Sequence, residues 1–151
     1  MALKKSDVFA FVRRCGAGVV SSVAEDGSSQ AAYVNLAMTP ALELIFYTLE
    51  SARKCRNLRA DPRIAAVISG DNEQTVQYEG VAAEPLDAAL DETKKIFVAE
   101  RPNLAGLIEW PGLVFFRVRP VWIRFSTYAK PWQVQEFDFP ENVPRHPRRH
   151  H

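Results

Sequence analysis

All three histidines of this 151-residue chain, His146, His150 and His151, stand at its C-terminal end. The body of the protein therefore has no imidazole to serve as base or metal ligand. A triad hydrolase is excluded with it, because Ser21 and Ser22 have no histidine partner. Cysteine is equally scarce. Cys15 and Cys55 are too few for a disulfide framework and lack zinc-site spacing. The seven glycines form no Gly-rich run, so neither a dinucleotide fingerprint nor a Walker loop is present. No apolar stretch approaches the roughly 20 residues of a membrane span. Neither sign of charge prevails: 19 Lys and Arg against 18 Asp and Glu leave a net +1, which gives no electrostatic case for nucleic acid. The opening Met1-Ala2-Leu3-Lys4-Lys5 runs directly into an amphipathic segment without the apolar core of a signal peptide. The expectation is a cytoplasmic protein with reduced thiols and no nucleic-acid or membrane partner.

What is present is an ordinary globular composition, 47% hydrophobic and 25% charged, in a length that suits one domain with a real core. Val8, Phe11, Val12 and Cys15 recur at helical spacing after Ser6, and Gly16 and Gly18 end that helix. Residues 19–24 and 31–36 read as a hairpin around the turn Glu25-Asp26-Gly27-Ser28. Residues 42–48 form a third strand, and a basic helix follows over 51–60, stopped by Asp61-Pro62. Strands are expected at 63–69 and 75–83, then a helix over 86–101 with Leu90, Ile96 and Phe97 inward. Two closing strands, 113–118 and 121–126, flank Arg119-Pro120. Short strands joined by hairpin-length turns predict a mainly β (α+β) protein, an antiparallel closed or split β-barrel with a few short flanking helices. We expect one domain over 1–139. Residues 140–151, with three prolines and no apolar periodicity, read as a flexible tail.

The stretch Phe46-Tyr47-Thr48-Leu49-Glu50-Ser51-Ala52-Arg53-Lys54 carries the most chemistry. Ser51 is a good N-cap, and Arg53 and Lys54 then fall in the first helical turn, where the macrodipole prefers carboxylates. Arg56 and Arg59 add further cations. An anion at the helix N-terminus accounts for this arrangement: backbone N–H groups, a hydroxyl and two cations together cradle a phosphate. The competing reading is a solvated basic face. Cys55, next to Lys54, is either a low-pKa thiol or a core-facing residue, and burial preference favours the core. The strand Ala31-Ala32-Tyr33-Val34-Asn35 offers small residues against which a flat ring can lie. Trp110, Trp122 and Trp132 are candidate core or interface anchors. Past the last barrel strand, Trp132 can pack on its own subunit, on a partner or at a ring edge. The alternation Val134-Gln135-Glu136-Phe137-Asp138-Phe139 after it reads as an extended arm suited to lying across a neighbour.

The order of hairpin, Phe46-Tyr47-Thr48, Arg53-Lys54, Asn57-Leu58-Arg59, Asp61-Pro62-Arg63 and Tyr78-Glu79-Gly80 resembles the pyridoxamine 5'-phosphate oxidase-like FMN-binding split barrels, from about Gly18 to Pro120. Glu100-Arg101-Pro102 adds to the likeness. The resemblance implies a homodimer with two FMN sites at the subunit interface and oxidoreductase chemistry on an unidentified small molecule. It implies that Arg53 and Lys54, with Ser51 at the helix start, hold the FMN phosphate. Tyr47 and Thr48 would meet the ribityl-phosphate region, and Ala32, Tyr33, Val34 and Asn35 would border the isoalloxazine. Gln74, Thr75 and Gln77 would approach from the other subunit, and Trp132 stands as a flavin-edge candidate. Vitamin B6 oxidation itself is not implied. The place where those oxidases carry arginine falls near Gln30, the place of their tryptophan falls near Ser126, and their C-terminal Arg-x-His-x-Arg is absent. The alternatives are a flavin- or heme-binding module without turnover, and a deazaflavin-dependent reductase.

Overall fold

The computed structural model describes residues 2–70 and 72–144. Asp71 and residues 145–151, with the three histidines and most of the expected tail, lie outside the described residues. The chain folds as α1 (Lys5–Cys15), β1 (Ala17–Val23), β2 (Ser29–Asn35), β3 (Ala37–Met38), β4 (Leu44–Leu49), α2 (Arg53–Ala60), β5 (Arg63–Ser69), β6 (Gln74–Ala83), α3 (Asp87–Glu100), β7 (Leu113–Thr127) and β8 (Gln133–Asp138). All strand pairs are antiparallel. The order across the sheet is β2-β1-β5-β6-β7-β4-β3, with β8 also on β7. This curled sheet with its helices is the split β-barrel.

Strand alternation fills the barrel. Val20, Ile64, Ala66, Ile68, Val76, Tyr78, Phe116, Ile123 and Phe125 turn inward and are buried. Helix α1 inserts Val8, Phe11 and Val12 into this core, with Phe11 5.3 Å from Phe125. Gly16 ends α1 at φ 69°, a left-handed cap. The guanidinium of Arg101 fills the space a Cβ on Gly16 would need. That same group donates to Leu36 O (3.1 Å) and Arg13 O (2.7 Å), while Glu100 accepts from Met38 N (3.1 Å). The end of α3 thus fastens α1 to the segment leaving β2. On the opposite face of β4, Phe97 of α3 meets Tyr47 and Phe115 edge-on, forming a second small core.

Three expectations are revised. Residues 113–127 are one strand, not two. Pro120 sits opposite Gly80 at a register shift, between the end of β4 pairing at Val118 and the start of β8 pairing at Trp122. Only β6 flanks it there, so its missing N–H interrupts no second ladder. The third strand begins later than residue 42, because Leu42 takes a left-handed turn (φ 65°) and its carbonyl accepts from Tyr78 Oη at 2.8 Å. The segment after Trp132 is β8, paired with β7 of its own chain rather than projecting as an arm. At the start of the expected tail, Pro140–Asn142 forms a 3₁₀ turn, and Asn142 Nδ2 donates to Pro120 O at 2.9 Å.

Candidate functional site

The sheet closes incompletely. Strands β2 and β4 lie side by side without ladder pairs, bridged by Asn35 Nδ2 donating to Tyr47 Oη at 3.0 Å. A cleft of about 390 Å³ occupies this split. Tyr33, Val34 and Asn35 of β2 form one wall, and Tyr47, Thr48 and Leu49 of β4 the other. Ala52 and Lys54 form its polar end; Leu107, Trp110 and Leu113 form an apolar end. A volume in this range, apolar with a few polar groups, is that of a small-molecule site. A second hollow of about 100 Å³ lies between α2 and the β1–β2 hairpin, lined by Ser22, Gln30, Ala31, Ala32, Arg53 and Lys54, with Val20 at its base. Lys54 lines both spaces.

The local chain explains the polar end. The turn after β4 closes through Ala52 N donating to Leu49 O (2.9 Å), which keeps Ser51 inside the turn. The N-cap is therefore Ala52, not Ser51, and no side chain caps the helix. Arg53 and Lys54 become the first two helical residues, with no acidic residue in that turn. Their backbone N–H groups find no acceptor among the described residues, as expected of a helix start. Neither side chain has an acidic partner among the described residues, whereas Arg59 pairs with Glu84 and Glu50 and Arg63 with Asp61. Two unpaired cations and free N–H groups converge on one spot, which is the composition of an anion site. Thr48 lines the cleft beside them and is 4% exposed, and its Oγ1 has no hydrogen-bond partner.

Of the residues singled out from sequence, Ala32, Tyr33, Val34, Asn35, Tyr47, Thr48, Arg53 and Lys54 come together here. Ser51 does not line either space. Gln74, Thr75 and Gln77 of the same chain do not line them either. Gln74 accepts from Arg14 Nη2 at 3.3 Å, while Thr75 and Gln77 alternate onto the outer face of β6. Trp132 lies outside the core, 75% exposed, and meets the Tyr128 ring edge-on at 6.0 Å. Cys55 is fully buried, and burial pushes its thiol pKa up despite the opposing charge of Arg59, so it is the core residue and not a reactive thiolate. Sequence reasoning missed Ser22, Leu49, Leu107 and Leu113 as lining residues; Trp110, a candidate core or interface anchor, is 62% exposed at the cleft's apolar end.

This geometry has relatives. The family model for pyridoxamine 5'-phosphate oxidase matches residues 5–127. The chain belongs to that family. No curated protein matches the sequence. Among solved structures, a heme binding protein from Mycobacterium smegmatis superposes with TM-score 0.75 at 16% identity, over 91% of this chain and 59% of that one. This chain thus spans about three fifths of that relative's length. General Stress Protein 26 from Bacillus anthracis gives TM-score 0.71 at 18% identity, over 89% of this chain and 98% of the other. HutZ, the heme storage protein from Vibrio cholerae, gives 0.60 at 15%, over 80% and 91%. At such identities the likeness is one of fold. No described helix is long and apolar enough to cross a membrane.

Proposed function

We propose that this protein binds FMN in the β2–β4 cleft and acts as a flavin-dependent oxidoreductase on a small molecule. The observation that carries the reading is the pair Arg53 and Lys54, unpaired at a helix start that opens on a hollow of phosphate size. In this reading the phosphate rests on the Arg53 and Lys54 side chains and the free N–H groups of α2. Thr48 Oγ1 supplies a bond to the adjoining polyol, using a hydroxyl otherwise idle. The isoalloxazine lies along Tyr33, Val34 and Asn35. FMN, when bound, supplies hydride or single-electron transfer, and the protein supplies position and electrostatics. No described residue of the cleft is required as an acid or base.

A homodimer is part of the proposal. The outer face of the sheet carries a row of exposed apolar side chains, Tyr33 beside Val19 beside Val67, in direct register, continued by Gln77. Such a row needs a cover. A second copy is the cover we assign, and it is the route by which Thr75 and Gln77 would reach the partner's site.

Heme is the second reading, favoured by two structural relatives, a heme binding protein and a heme storage protein. Among the described residues lining the cleft, Tyr33, Tyr47 and Lys54 carry atoms that could ligate iron, and Tyr47 Oη already accepts from Asn35. The absorption spectrum of the purified protein decides: flavin bands with FMN released on denaturation support the proposal, and a Soret band overturns it. Bleaching of bound flavin by NAD(P)H then separates an enzyme from a binder.

A further inference from the structure

We propose that Asn57 is a positioning residue for the phosphate end of the site. By occupying the acceptor atoms of Ser22 and Gln30, it leaves both side chains as donors toward an anion held with Arg53 and Lys54. The proposal rests on the phosphate reading above and adds to it a device made of uncharged residues.

Asn57 lies one helical turn after Arg53, so both project from the same face of α2. It is a buried polar residue, 7% exposed. Its Nδ2 donates twice, to Ser22 Oγ at 3.1 Å and to Gln30 Oε1 at 2.9 Å. Those two acceptors are brought together by hairpin register: Ser22 and Gln30 are directly opposite on β1 and β2. The consequence follows from donor counting. A primary amide has two N–H donors, and Asn57 commits both. Ser22 Oγ, accepting from Asn57, keeps its O–H to give elsewhere. Gln30, accepting through Oε1, keeps both N–H bonds of Nε2. No contact among the described residues uses either group as a donor.

Ser22, Gln30, Arg53 and Lys54 line the same 100 Å³ hollow, about three times the share of one liquid water. Each offers donors, and no carboxylate lines the space. A hollow whose polar side chains can all donate, two of them positively charged, suits a phosphate monoester, whose terminal oxygens accept in several directions. An apolar or cationic group would leave these donors unsatisfied. Asn57 touches no ligand itself; it works by holding Ser22 and Gln30 in the donating orientation.

The test is the ratio of FMN to riboflavin affinity, measured by flavin fluorescence titration of the apo protein. A purely structural asparagine would change both affinities alike, since the two ligands differ only in the phosphate. Asn57→Ala should weaken FMN by about five- to tenfold, below the full loss of a bond to a charged group, and leave riboflavin unchanged. In a Ser22→Ala/Gln30→Ala background the same substitution should have no further effect on the ratio. If Asn57→Ala does not fold, Ser22→Ala/Gln30→Ala alone must lower the ratio. Equal losses for FMN and riboflavin, or full additivity in the combined variant, overturn the role of Asn57. A parent protein that binds both flavins equally overturns the phosphate reading and this inference together. A parent that prefers FMN, with the ratio unmoved by Asn57→Ala, overturns this inference alone.

Discussion

Replacing Arg53 and Lys54 together by alanine should separate binding from stability, because the two effects have opposite signs. Hydrogen bonds to charged groups contribute about 1.5–3 kcal/mol each. Arg53 is exposed and Lys54 half-buried, so solvent competes and the low end applies. Two such bonds give about 3 kcal/mol, an affinity loss of about 150-fold. The apo protein should move the other way. Each cation in the first turn of α2 opposes the helix dipole at a cost of about 0.3–1 kcal/mol, and alanine is the better helix former. A gain of about 0.5–1.5 kcal/mol raises Tm by about 1–6 °C in a domain of this size.

Thermal melts with and without FMN read both terms. At FMN one hundred times the parent Kd, binding adds about 2.7 kcal/mol to the parent, a shift of about 5–10 °C. In the double variant at the same FMN concentration the gain falls to about 0.3 kcal/mol, close to the limit of detection. Riboflavin, which lacks the phosphate, should bind parent and variant alike. An unchanged FMN shift refutes the phosphate site. A lower apo Tm together with equal loss of both flavins refutes it as well, because the cations would then be structural.

Thr48→Val removes a buried hydroxyl that has no partner, so apo stability should hold or rise, while FMN affinity falls by about two- to tenfold, the worth of one neutral hydrogen bond; a destabilised variant with parental affinity contradicts the assignment. Light scattering should give twice the 17.0 kDa chain mass, and Val19→Asp, placing a charge in the middle of the apolar outer row, should halve it; a parent monomer or a dimeric variant rejects that face as the interface. Tyr78→Phe should cost about 1–3 kcal/mol, because Leu42 O and Val118 O lose the buried phenol. Burial, reinforced by the charge of Glu43, raises the Tyr78 pKa well above its ordinary 10. Above pH 10 the unfolded phenol releases its proton while the folded one keeps it, so stability falls with rising pH by about 1.4 kcal/mol per unit. Chemical denaturation at pH 10 to 11 should show that slope reduced in Tyr78→Phe, and an identical slope would contradict the burial argument.

Much of the fold was legible because its signals are local. The Val8-Phe11-Val12 stripe, the Asp26-Gly27 turn and the alternation of residues 63–69 each act within a few positions, and α1, the first hairpin and β5 stand where those patterns put them. The misses involve distant partners. Arg119-Pro120 reads as a break, yet β7 runs through it because the strands on its other edge happen to stop and start around that point. Val134 to Phe139 has one apolar side, and nothing in that pattern distinguishes a neighbour's surface from the chain's own β7. Ser51 has the composition of an N-cap, but the backbone bond from Ala52 to Leu49 moves the helix start by one residue.

The site divides along the same line, and the division bears on what occupies it. Arg53 and Lys54 were visible because two cations in a first turn conflict with the helix dipole, a conflict contained in consecutive residues. Ser22, Gln30 and Asn57 carry no such sign. They become a group only when the β1–β2 register sets Ser22 against Gln30 and α2 lays Asn57 over both. Leu107 was likewise invisible, and the place of Trp110 at the cleft was too, since both reach it from the turn before β7. The family fold supplies the split between β2 and β4, and structural relatives named for heme share its architecture at low identity. What selects the occupant is therefore the side chains around the split. In this chain they are two unpaired cations, an idle threonine hydroxyl and two uncharged donors. On the proposed reading that set suits a phosphate-bearing flavin, and it is drawn from residues spread over four separate elements.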